Sequence, residues 1–198
     1  MERQIETLKL EISYFSVVFS FEEIKDDNKL VHLYTGIPSA ELFKKLVCLV
    51  EKFEINYYYN WGVGKVKKVD QLLMTLMKLR RNDPQLELAH RFRCSRTTVQ
   101  NIIITWIHVL HEILVKGFLG QIPSRLKNQG CMPDSFVFFT NCRITLDCTE
   151  IKCAIPKNML QRNLTYSYYK HNNTFKGLVG VAPNGVVTFL SELFAGSV

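Results

Sequence analysis

The stretch ITLDCTEIKCAIPKNML, residues 144–160, constrains this chain most, because it places an aspartate where a buried strand runs out of apolar residues. Ile144, Thr145 and Leu146 favour extended backbone, and Asp147 follows them with β-branched Thr149 two places on. A carboxylate at the end of a core strand costs free energy unless something pairs with it, and a divalent cation is one such partner. The plainer alternative is an Asp that turns the chain or caps the next element. Downstream, SYYKHNNTFKGLVGVAPNGVVTFLSELFAGSV reads as two further strands, residues 174–182 and 186–194, pairing antiparallel across Pro183-Asn184-Gly185. Asp147 then lies on the first strand of a sheet, with Thr149 on its face and Glu150 on the other. The sheet is expected to leave an unpaired edge.

Upstream the pattern is helical. Residues 1–31 show weak periodicity and carry no clear element. Ser39 is a plausible N-cap for an amphipathic helix marked by Leu42, Phe43, Leu46, Val47, Val50 and Phe53. Tyr57-Tyr58-Tyr59-Asn60-Trp61 is an aromatic linker, more readily explained by packing than by base stacking. Three helices follow. The first shows Leu72, Leu73, Leu76 and Leu79 on one face. The second starts at Pro84 with Asp83 as its cap, and the third is capped by Ser95. The third repeats Val99, Ile103, Trp106, Leu110 and Ile113, with Ile102 also inward. A short helix with Ala89, a turn at Arg93-Cys94 and a longer helix make the helix-turn-helix pattern. Arg93 occupies the position usually given to Gly, a costly choice if φ is positive there. An ordinary helical hairpin with its polar side in water is the competing account.

Charge favours the DNA-binding account. Residues 61–96 carry nine Lys/Arg against three Asp/Glu, whereas residues 1–60 carry seven against ten. On that reading Arg96, Thr97 and Gln100, pointing away from the apolar stripe, approach the major groove of double-stranded DNA. Ser95 leaves helix N–H groups facing a phosphate, and Arg91 and Arg93 hold the backbone. Residues 119–142 form a connector in which Phe136, Val137, Phe138 and Phe139 are expected to pack an edge of the sheet. Six cysteines without C-x-x-C spacing argue for free thiols rather than zinc. The run 102–119 contains His108, His111, Glu112 and Lys116, which argues against a membrane span, and the N-terminal flank is too acidic for a signal peptide.

Taken together, D-C-T-E-I from Asp147 to Ile151, Ile155-Pro156, S-Y-Y-K from Ser167 to Lys170, Asn173 to Lys176, Pro183-Asn184-Gly185 and Gly196-Ser197-Val198 resemble the DDE-type transposases. The likeness is in particular to the Harbinger-like branch and its relatives among the DDE superfamily endonucleases, and it extends upstream to about residue 32. The resemblance implies an α+β protein: a helical helix-turn-helix region, then an incomplete ribonuclease-H-like α/β nuclease core. The corresponding segments are 1–31, a helical region 32–60, a DNA-binding domain 61–118, the connector 119–142 and the first part of a nuclease domain 143–198. It also implies that Asp147 is the first catalytic carboxylate and a ligand to Mg²⁺ or Mn²⁺. In the family a second aspartate comes within a few residues of the G-S-V motif, and a glutamate lies much further on. With Val198 the last residue, the resemblance implies a truncated copy, inactive as it stands, binding metal weakly or not at all. The other function class is a non-catalytic DNA-binding or regulatory protein domesticated from a transposase. Either belongs in the nucleus, and a homodimer through the long third helix is a further expectation.

Overall fold

The computed structural model describes residues 18–119, 122, 124, 126, 130 and 132–198. The expectations for residues 1–17 and for Cys131 lie outside the described residues. Two compact units divide at Leu110/His111.

The first unit is helical: α1 Phe21–Ile24, α2 Asn28–Thr35, α3 Ala40–Val50, α4 Lys68–Arg81, α5 Gln85–Arg91 and α6 Arg96–Leu110. Side-chain caps set several of its ends. Asp27 accepts from the N–H groups of Lys29 and Leu30, and Ser39 from that of Leu42. The amphipathic reading of α3 holds for Phe43 and Val50, which are buried, but the helix stops at Val50, and Leu42 and Phe53 are exposed.

Helix α4 is the hub, packed against α1, α2, α3 and α6. A helix surrounded on several sides buries residues all round rather than along one stripe. Accordingly Asp70, Gln71, Leu72, Leu73, Met74, Thr75 and Met77 are buried, whereas Leu79, assigned to the core by periodicity, is exposed in the last turn. The polar members are satisfied. Asp70 Oδ1 accepts from the Phe21 N–H at 2.8 Å, and burial lifts its carboxyl above the usual range against the pull of that bond. Gln71 donates to the Val66 carbonyl and accepts from Trp106 Nε1 and the Tyr57 hydroxyl. These bonds tie α4 to α6 and to the aromatic linker at the centre of the core.

The α4–α5 junction departs from expectation. Asn82 closes α4 in the left-handed region at φ 55°, and α5 begins at Gln85 with Pro84 rather than Asp83 in the cap position. Asp83 instead turns toward Arg81, with its Oδ1 3.3 Å from Nε, so the first turn of α5 has no side-chain cap.

Among the described residues one helical run, Arg96–Leu119, has the length and composition to cross a membrane. Its α6 part is a core helix: Val99, Ile102, Ile103, Trp106 and Leu110 are buried together with Asn101 and Thr105. Its apolar stripe is therefore used within the unit, and Ile107 is the large apolar residue it exposes. Beyond Leu110 the helix widens to π geometry over His111–Leu119.

The second unit contains an antiparallel sheet. Its strands are β1 Thr145–Lys152, β2 Tyr166–Ser167, β3 Asn172–Val181, β4 Val187–Leu190 and β5 Phe194–Ala195, and helix α7 Met159–Thr165 precedes β2. Strand β3 is the axis, with β1 along one side and β2, β5 and β4 pairing with it in turn. The expected hairpin forms. Ala182 and Gly185 bracket the turn, and Gly185 takes φ +84°. Its strands differ in extent from the sequence reading, because β4 ends at Leu190 and the chain rejoins β3 only at Phe194.

Two expectations fail here. Strand β1 is not buried: seven of its eight residues are exposed, Asp147 among them, so little of the described chain lies over either face of it. Phe136–Phe139 do not cover a sheet edge either. They lie in a short 3-10 turn, Asp134–Phe139, with Val137, Phe138 and Phe139 exposed. Glycines apart, the buried positions among the described residues of this unit are Thr165, Ser167, Asn173, Thr174 and Ala182, so its interior is largely polar.

Candidate nucleic-acid interface and the strand-borne carboxylate

Helices α5 and α6 meet through a turn of four residues. Its tightest point is Arg93, at φ 48°, the strained conformation expected where most turns of this kind carry Gly. Cys94 N–H donates to the Ala89 carbonyl, and burial pushes the Cys94 thiol up, so it stays protonated. Ser95 Oγ then accepts from the Thr98 N–H at 3.0 Å, the expected cap of α6.

This geometry sorts the expected DNA contacts. Arg96 and Thr97 are exposed in the first turn of α6, and Gln100 is half-buried. Thr97 lies opposite Val99, whereas Arg96, three residues before Val99, is on the side of the apolar stripe and is exposed because it precedes the packed part of the helix. Arg96 Nε lies 3.3 Å from Gln85 Oε1, a neutral partner that leaves its charge uncompensated. Arg93 and Ser95 are exposed beside the same helix end. Arg91 is different. Its guanidinium donates to Glu87 at 2.8 Å and to the Tyr34 hydroxyl, and stands 5.2 Å from the Phe19 ring centroid. It fastens α5 to the segment before α1 and to α2, and Arg81 sits over the other part of the same Tyr34 cluster.

Sequence reasoning missed two residues that shape this surface. Asn101 and Thr105 are buried polar side chains within the apolar stripe of α6. Thr105 Oγ1 accepts from the Tyr58 N–H, while Asn101 accepts from the Tyr59 N–H and donates to the Trp61 carbonyl. The one available signal was their i, i+4 spacing; their loop partners lie some forty residues upstream.

In the sheet unit, Asp147 lies third in β1, opposite Val179, and Thr149 stands opposite Gly177 on the same face. Asp147 Oδ1 accepts from the Cys148 N–H at 2.8 Å. Glu150 is on the other face, as expected, where its Oε2 accepts from the buried Thr174 hydroxyl at 2.8 Å. Partial desolvation opposes ionisation of Glu150, but the Ser167 and Thr174 hydroxyls, with Lys176 and Lys170 nearby, outweigh it and hold its carboxyl below the usual range. The two acids of β1 therefore cannot converge on one ion. Among the described residues no three or more His, Cys, Asp or Glu gather into a metal-binding group. Asp147 and the Thr149 hydroxyl are too few donors to hold a pair of divalent ions against water.

Two family models match the chain. Residues 64–116 match the helix-turn-helix of DDE superfamily endonuclease, and residues 146–198 match DDE superfamily endonuclease. The first covers α4, α5 and α6, and the second runs from β1 to β5. No curated protein and no solved structure matches the chain.

Proposed function

Since this chain belongs to the DDE superfamily endonucleases and carries their helix-turn-helix, we propose that it binds duplex DNA through the first turn of α6. Arg96, Thr97 and Gln100 enter the major groove, and the Ser95 end of the helix with Arg93 holds the phosphate backbone. The observation that carries this reading is the exposure of Arg96 and Thr97, with half-buried Gln100 one turn on, at the capped start of a helix that follows directly on the most basic segment of the chain. Selection of binding sites from random duplexes, followed by gel shifts, tests it. Replacing Arg96 and Gln100 with Ala should cost about 1–3 kcal/mol of discrimination for each side chain that reads a base edge. Non-specific affinity should fall much less. Equal weakening on all sequences would reduce the surface to a phosphate patch. The protein would work in the nucleus, where its DNA is.

DDE superfamily endonucleases use divalent metals. For this chain we propose the non-catalytic reading, in which Asp147 keeps the position of the first metal-binding carboxylate of a ribonuclease-H-like sheet without completing a site. The separation of Asp147 from Glu150 onto opposite faces of β1 supports it. In a nicking assay with Mg²⁺ or Mn²⁺, the protein should show no cleavage above its Asp147→Ala variant. Cleavage that disappears in that variant would instead make this an endonuclease.

A further inference from the structure

The aromatic linker is built unlike packing. Tyr58, Tyr59 and Trp61 are 57%, 38% and 39% exposed, and the Tyr59 and Trp61 rings lie within 8° of parallel at 6.3 Å between centroids. Aromatic side chains that serve a core are buried, because their area is what stabilises it. Here buried polar groups do the opposite service. Asn101 and Thr105, both at most 2% exposed, fix the backbone of Tyr58, Tyr59 and Trp61, and Asn60 turns the loop at φ 56°. The fold thus anchors the backbone that carries three large rings at the surface.

Trp61 also stands between two cavities. The larger, of about 430 Å³, is lined by Trp61, Gly62, Lys65, Arg93, Ser95 and Thr98 among others, and the smaller, of about 250 Å³, lies on the Asn56–Asn60 side of the ring. Among the described residues neither is lined by a carboxylate. Flat faces beside cations suit a strand of nucleic acid: bases stack on the rings while the phosphates meet the charge. A protein partner would need no such match of rings to cations.

We propose that Tyr59 and Trp61 form a stacking platform for an unpaired base of a DNA strand, with its phosphate held in the Lys65–Arg93 cavity. The proposal deepens the DNA-binding reading of α6 and rests on it only for where the strand comes from, since the cavity reaches the cap of that helix.

Three DNAs separate the possibilities when bound by the full chain: a blunt duplex, the same duplex with a single-stranded overhang, and a labelled dT oligonucleotide of about ten nucleotides. The overhang should add roughly tenfold or more to affinity, and Trp61→Ala and Tyr59→Ala should remove that gain while Trp61→Phe keeps it. Blunt-duplex affinity and the melting temperature should stay unchanged in all three variants. The dT oligonucleotide should quench Trp61 emission, leaving the contribution of Trp106, buried and bonded to Gln71, shielded. An overhang bound equally well by wild type and Trp61→Ala, or dT bound without quenching, overturns the platform. Absence of a blunt-duplex complex alone counts against the α6 reading, and the dT arm still decides the platform.

Discussion

Raising salt from about 50 to 200 mM should weaken the blunt-duplex complex by roughly 10²- to 10³-fold, as neutralisation of ~4–6 phosphates requires. The number of phosphates follows from how the cations are used. Of the nine Lys and Arg in residues 61–96, Arg81 and Arg91 are paired with Asp83 and Glu87 and stacked on Tyr34, and Lys78 is turned back onto Asn82 and the Asp83 carbonyl. Among the described residues Lys65, Lys67, Lys68, Arg80 and Arg96 have no such ion pair. Each that meets a phosphate adds close to one unit to the salt slope. Lys65→Ala should therefore flatten the slope by about one and weaken binding alike on every sequence. Arg91→Ala should act by another route. It removes a hydrogen-bonded, stacked cation and loosens α5, so it should lower the melting temperature more than it changes the slope. A complex insensitive to salt at micromolar protein would remove the phosphate-binding account of the whole segment.

How far the residues foretold this arrangement depends on the range of the forces involved. The cap at Ser95, the inward Val99 and Ile102 and the positive φ at Arg93 were legible because each is decided within a turn or two of helix. The Asn184-Gly185 hairpin was legible for the same reason. Periodicity misplaced Leu79, since it cannot report that α4 is packed on several sides. Composition suggested a buried β1, but burial of a strand is set by what lies over it, and β-branched residues read alike in both cases. Residue type alone favours packing for Tyr58, Tyr59 and Trp61; their exposure depends on loop anchors, Asn101 and Thr105, some forty residues away in sequence. The Asp147 position was legible through its resemblance to a family rather than through its surroundings.

Gly196→Ala should be the most damaging single substitution in the sheet unit. A Cβ at Gly196 would stand 2.6 Å from Thr174 Oγ1 and 2.8 Å from the Thr174 carbonyl, and closer still to the Thr165 carbonyl. Two of these three are backbone atoms, which cannot swing aside as a side chain can. At Gly180 the nearest atoms are the Ile144 side-chain end, which can turn aside, and Phe189 Cβ, which cannot, so the same substitution there is relieved only in part. Overpacking typically costs about 1–3 kcal/mol, and more where backbone must move. The cost falls on a unit whose buried residues are mainly Thr165, Ser167, Asn173 and Thr174, with little apolar burial to absorb it. Displacing Gly196 would strain the pairing of β5 with β3, the Ser197 N–H bond to the Leu164 carbonyl and the Thr174–Glu150 hydrogen bond together. Glu150 then supplies a readout other than melting. Its depressed carboxyl contributes stability above the ordinary value near 4.5, lost as pH falls through the folded value. In Gly196→Ala that titration should move back up toward the ordinary value, while Gly62→Ala, with open space around it, leaves both titration and melting unchanged. A Gly196→Ala protein with wild-type melting and an unmoved Glu150 would show that β5 does not lock this sheet.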